Sequence, residues 1–255
     1  MSPRLRDFLK PRARRYAPTP ADRIRRYATT VDDDGSEHPA ETDIVDAMIR
    51  FEERYGGLCY APRGGNDHEY GLFGHPTVHR TSHGSAFPGI LDGSWTRRVD
   101  VLADGRTAMP IPGVAHRVID RSIDQRLEAD ALLTGVHQWP HLVLHTTTGP
   151  GADPQVAEAH LPPRAHEATG PSDMWWFDGT SAVNLRLHRW WTTSRRDTWI
   201  VRCFVPDGDG LDRTAAAVRA AVPDLATAVD DWCSLCTRFI DPGRSCPGVT
   251  STAKP

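Results

Sequence analysis

Residues 43–57 read Asp-Ile-Val-Asp-Ala-Met-Ile-Arg-Phe-Glu-Glu-Arg-Tyr-Gly-Gly. Ile44, Met48, Phe51 and Tyr55 recur at the spacing of one helical face, and Val45 and Ala47 widen that stripe. Asp43, Asp46, Arg50, Glu52, Glu53 and Arg54 occupy the opposite face and read as ordinary solvated charges. Gly56 is the expected left-handed residue that closes the helix. The stretch therefore predicts an amphipathic helix with one side on a core. It marks where the globular part begins and carries no nucleophile, base or metal pair of its own.

Outward from this helix the pattern turns to strands. Leu58-Cys59-Tyr60 and Tyr70-Gly71-Leu72-Phe73 are short candidates. Trp95, Arg97, Val99 and Val101 alternate with their neighbours as one strand face does. Ala103-Asp104-Gly105 signals a hairpin returning along Arg106–Ile111. A strand at His116–Asp120 leads into Ser122-Ile123-Asp124-Gln125, a capping box, with a helix to about Leu133. Leu142-Val143-Leu144 is a further strand.

Residues 146–173 are rich in Gly, Pro and polar residues and read as a loop or linker. Val183, Leu185 and Leu187 alternate with polar residues and can pair with Trp199–Val205 across Thr192–Asp197. Helices are expected from about Leu211 to Ala221 and from Pro223, the second with Leu225, Val229 and Trp232 as its apolar face. Residues 241–255 read as a flexible tail. Residues 1–40 read as a basic, partly ordered arm containing Arg4, Arg6, Arg12, Arg14, Arg15, Arg23, Arg25 and Arg26. Thr19-Pro20-Ala21-Asp22 starts a short helix within it. The fold class is α+β: a mainly antiparallel sheet with helices packed on one side and long loops. Residues 41–145 are its centre, and the hairpin and two helices of 174–240 are expected to pack on the same domain.

Bulk properties exclude several classes. A hydrophobic share of 39% with 21 Gly and 21 Pro suits a folded core with long loops more than a compact bundle. The formal net charge of −3 gives no overall field for nucleic acid, so direct nucleic-acid binding is not expected. Lys10 and Lys254 are the only lysines, a pattern read first as coding bias. Five unevenly spread cysteines do not form a disulfide framework. No secretory leader or membrane-length apolar run is seen, which makes the cytoplasm the default location.

Histidine density suggests metal chemistry. Ten of the twelve histidines lie between His68 and His166, with His75, His79 and His83 spaced by four, as are His137, His141 and His145. Gly74, Pro76, Gly84 and Pro88 argue for a loop around the first trio. Pro140 interrupts the second, and in a strand, residues four apart lie about 13 Å apart. Cys233-Ser-Leu-Cys236 with Cys246 supplies three thiols where a structural zinc site needs four ligands, and its place at a helix end counts against redox chemistry. No cofactor is expected. There is no glycine-rich dinucleotide or phosphate loop and no GxSxG elbow. The Trp175-Trp176 and Trp190-Trp191 pairs place one ring on each face of a strand, so one of each pair can anchor a protein partner. Trp95, Trp139, Trp176 and Trp190 are the candidate partner-binding residues.

The helix Ile44–Tyr55 with its terminal aromatic and glycine, the run Val99–Gly105, and Ile119-Asp120-Arg121-Ser122 leading into Gln125–Ala129 together resemble the SUKH superfamily of bacterial toxin-immunity proteins. The resemblance covers residues 43–133. It implies a non-catalytic immunity protein that neutralises a cognate protein toxin by occlusion, a nuclease being one such toxin. In the family, the first helix is usually followed by Leu-Pro, a Tyr-bearing helix and Asn-Gly-Gly; here Leu58-Cys59-Tyr60-Ala61-Pro62 runs towards strand pattern. The alternatives are a metal-dependent enzyme built on the histidine-rich centre and a regulatory protein-interaction module.

Overall fold

The structure is a computed structural model that describes residues 1–62, 69–92, 98–111, 114–146, 160–188, 198–207, 210–222, 225–227, 232–233 and 238–239. These gather into two compact units, one of residues up to 126 and one of residues from 127 onward. Helices and mostly antiparallel strands make the fold α+β, as the sequence predicts.

The first unit opens with α1 (Pro3–Arg12), β1 (Ala13–Arg15), α2 (Ala21–Tyr27), β2 (Thr29–Val31) and β3 (Glu37–Pro39). The decisive helix is α3 (Thr42–Tyr55), followed by β4 (Leu58–Tyr60), β5 (Tyr70–Leu72), β6 (Thr77–Thr81), β7 (Gly84–Asp92), β8 (Arg98–Leu102), β9 (Thr107–Ile111) and β10 (Val114–Asp120). One sheet contains all ten strands in the order β1-β4-β5-β7-β6-β2-β3, with β8 along β7, then β9 and β10. All pairs are antiparallel except β2 with β6.

α3 buries Ile44, Met48 and Phe51 as its stripe predicts. Phe51 meets Phe87 of β7 edge-to-face, with ring centroids 5.5 Å apart. Gly89 sits at a register shift between β7 and β8, where a Cβ would crowd Val101 and the Phe51 ring. Two details of α3 differ from expectation. Gly56 ends the helix at φ −51°, and Gly57 takes the left-handed conformation at φ 75°. Glu52 is buried, only 3% exposed, because its carboxylate accepts backbone N–H groups from outside the helix.

The N-terminal arm, expected to be partly ordered, is built into the sheet. Leu5 and Phe8 of α1 are buried, and Phe8 meets Tyr60 edge-to-face. Arg15 donates to the carbonyls of Glu53, Arg54 and Gly56 and so serves the C-terminal end of α3. Charge count concealed this use of arginine as a backbone cap.

Helix α4 (Ile123–Val136) follows the capping box. The Gln125 N–H donates to Ser122 Oγ at 3.1 Å, while Gln125 Oε1 accepts the N–H of Arg121, not that of Ser122. The boundary between the units falls within this helix.

The second unit contains β11 (His141–Thr146), a 3-10 turn at His166–Ala168, β12 (Asp173–Phe177), β13 (Ala182–His188), β14 (Thr198–Phe204), α5 (Leu211–Ala221) and β15 (Ala226–Thr227). Its sheet order is β12-β13-β14-β11-β15, and β13 pairs with β14 as expected. One sheet face packs Trp176, Val183, Leu185 and Val201 against Ala215 and Val218 of α5. The other packs Trp175, Ala182 and Phe204 against Leu132, Leu133 and Val136 of α4. The hairpin and helix thus belong to a unit with its own core, instead of completing the domain of 41–145. The helix expected from Pro223 is replaced at Ala226–Thr227 by a strand, because β11 offers an open edge whose hydrogen bonds override local propensity. Trp232–Cys233 is likewise a short strand, β16, paired with β17 (Arg238–Phe239).

Candidate functional site

The first unit brings together three side chains that lie far apart in sequence. His79 stands on β6, Asp100 on β8 and His116 on β10. The strand register explains their meeting. His79 pairs with Ala86 of β7, and Asp100 pairs with Ala108 of β9, which in turn faces Val118. Cross-strand partners share a face, so all three polar groups emerge on one side of the sheet. Ala86 and Ala108 on that face are short enough for both imidazoles to reach over them. Phe87, Val99 and Val101 alternate onto the opposite side, where Phe87 meets α3.

His79 Nε2 lies 2.9 Å and His116 Nε2 3.1 Å from the same oxygen, Asp100 Oδ2. The two rings are 5.3 Å apart and tilted by 32°. One donor atom from each of the three residues lies within 4.8 Å of the others. The Asp100 side chain is fully buried, while the two histidines keep partial exposure. Arg98 Nε lies 2.9 Å from Asp100 Oδ1, although the alignment is not that of a hydrogen bond. Burial alone would raise the Asp100 pKa; the hydrogen bond and charge of His79, with the charge of Arg98, outweigh it and hold the carboxyl below its ordinary range. Burial pushes the His116 imidazole below its ordinary value, and Asp100 offsets this only in part.

The same unit displays exposed aromatic rings. Tyr16 is 53%, Tyr27 55% and Phe73 36% exposed, and the Tyr16 and Phe73 rings stand 6.3 Å apart. A groove of about 740 Å³ runs beside Tyr27, lined also by Thr19, Arg23, Arg26, Met48 and Pro76. Glu52 secures its floor: Oε2 accepts the Thr19 N–H at 2.7 Å and Oε1 the Gly74 N–H at 2.6 Å. Arg23 and Arg26 are exposed along it together with Asp22, the one acidic residue of α2.

Among the described residues, those singled out from sequence are not gathered into one site. Trp95 and Trp190 lie outside the described residues. Trp176, offered as an exposed anchor, is buried at 6% exposure in the second unit, since the sheet is covered on both faces. Trp139 is half-buried and stacks on Phe177, with centroids 6.4 Å apart. His75 and His83 are exposed, and His83 Nε2 donates to the His116 carbonyl instead of joining His79 as a ligand. His137 and His141 are buried and donate from Nδ1 to the carbonyls of Thr134 and Trp139. The His145 side chain lies outside the described residues, as do Cys236 and Cys246. Sequence spacing could not reveal His79, Asp100 and His116 as a set, because strand register alone joins them. No helix among the described residues is long and apolar enough to cross a membrane. No protein-family profile, curated protein or solved structure matches the chain.

Proposed function

We propose that the protein acts without catalysis, as an immunity-type module that binds a protein toxin and occludes it. The observation that carries this reading is the exposed Tyr27 beside Arg23 and Arg26 on the α2 groove, with a second exposed aromatic pair, Tyr16 and Phe73, in the same unit. Tyrosine and arginine dominate the energetics of protein interfaces because they bury large area and keep a polar handle. Glu52 holds the groove floor by two backbone hydrogen bonds, so the face is preorganised and loses little entropy on binding. The SUKH-like order of helix, hairpin and helix supports the same reading. The face is locally basic, so its partner presents acidic side chains around an apolar anchor. That charge pattern weighs against a basic nuclease docking here.

The test is co-expression with the toxin encoded beside the protein. Wild-type protein should protect the cell and co-purify with the toxin. Tyr27→Ala combined with Arg23→Glu should weaken the complex by about 2 kcal/mol or more while leaving the fold intact by circular dichroism. Unchanged toxicity with no complex would overturn the reading. Binding of a non-toxic partner to this face would instead favour the regulatory alternative.

A further inference from the structure

We propose that His79, Asp100 and His116 form a binding site for a first-row divalent transition ion of the Zn2+ class. The site is independent of the partner face. Imidazole and carboxylate together suit such ions, whereas Mg2+ and Ca2+ prefer all-oxygen sets. The separations fit. Two donors each about 2.1 Å from a metal lie about 3.0 Å apart in octahedral geometry and about 3.4 Å apart in tetrahedral geometry. Here the two nitrogen–oxygen separations are 2.9 and 3.1 Å, and all three donor atoms fall within 4.8 Å of one another. Small inward adjustments of side chains, without strand movement, complete the set.

The support around the ligands fits as well. Three strands of one sheet hold the ligands, and Ala86 and Ala108 on the same face carry side chains too short to separate them. Arg98 lies against both carboxylate oxygens, with Nε 2.9 Å from Oδ1 and a terminal nitrogen donating to Oδ2 at 3.5 Å, and so orients the group, while Oδ2 is the oxygen that both imidazoles already face. A metal takes imidazole lone pairs, so the Nε2 protons that now face Asp100 must leave the site or reside on Nδ1. Three protein donors leave a tetrahedral ion one open position, the arrangement of sites that bind a water or substrate.

The competing explanation is a buried ion-pair network that holds no metal. Metal-stripped full-length protein titrated with Zn2+ and with Co2+ separates the two. We expect one equivalent bound, a rise in melting temperature, and a Co2+ absorption spectrum without a thiolate charge-transfer band. His79→Gln and His116→Gln, which keep side-chain volume, should each weaken binding at least about tenfold. His75→Ala and His83→Ala should not. Triple replacement of Cys233, Cys236 and Cys246 by Ser should leave the affinity unchanged. Absence of binding by the folded wild type, undiminished affinity in both glutamine variants, or loss of the ion with the cysteines would each overturn the proposal. If a glutamine variant fails to fold, the Co2+ spectrum of the wild type decides between nitrogen–oxygen and thiolate ligation.

Discussion

Glu52 shows how one side chain can reverse a reading drawn from periodicity. It lies on the charged face of α3, yet it is buried because two backbone N–H groups from separate segments converge on its carboxylate. Each such charge-assisted bond is worth about 1.5–3 kcal/mol, and its loss leaves a donor desolvated. Glu52→Ala should therefore lower stability by about 3 kcal/mol, measured by urea unfolding. Glu53→Ala on the exposed side should change it by less than about 0.5 kcal/mol.

Cys203 makes a second residue-scale case. It sits in β14 between Val183 and Leu142 and is fully buried. Burial pushes its pKa up from 9.0 to about 12, outweighing the opposing charge of Arg219. The folded protein therefore holds the thiol proton more tightly than the unfolded chain does. Stability from this group is fully present below pH 9.0 and declines as pH rises towards about 12, by up to about 1.4 kcal/mol per pH unit. Comparing urea midpoints of wild type and Cys203→Ala below and above pH 9.0 isolates the effect. Their difference should shrink with rising pH.

At the scale of elements, the β12 tryptophans define the second unit. Trp175 and Trp176 point to opposite sheet faces, as strand geometry requires, and both are core because α4 covers one face and α5 the other. Trp176→Ala should cost about 3–5 kcal/mol of stability by thermal or urea unfolding, and should leave toxin binding by the folded variant unchanged. A partner-anchor role would give the reverse pattern. The elements legible in sequence were those with strong local signals: α3, the β8–β9 and β13–β14 hairpins, and the capped start of α4. Those misread depended on distant chain. The arm of 1–40 is ordered because Leu5 and Phe8 find Tyr60 and Arg15 finds the end of α3. Ala226–Thr227 is a strand because β11 has a free edge for it.

At the scale of the whole molecule, the chain is two α+β units, each with its own sheet. The proposed partner face and the proposed metal site both belong to the first. The net charge of −3 conceals a local excess of positive charge on α2, which carries Arg23, Arg25 and Arg26 against the single acid Asp22. By itself, the sequence determined the α+β class, the stripe of α3 and the main hairpins, because helix and strand periods, turns and caps act over a few residues. Only the tertiary structure decided that Glu52 is buried, that Trp176 is core, and that His79, Asp100 and His116 converge. Those outcomes depend on which strands lie side by side and in what register, and contacts between residues distant along the chain set that arrangement.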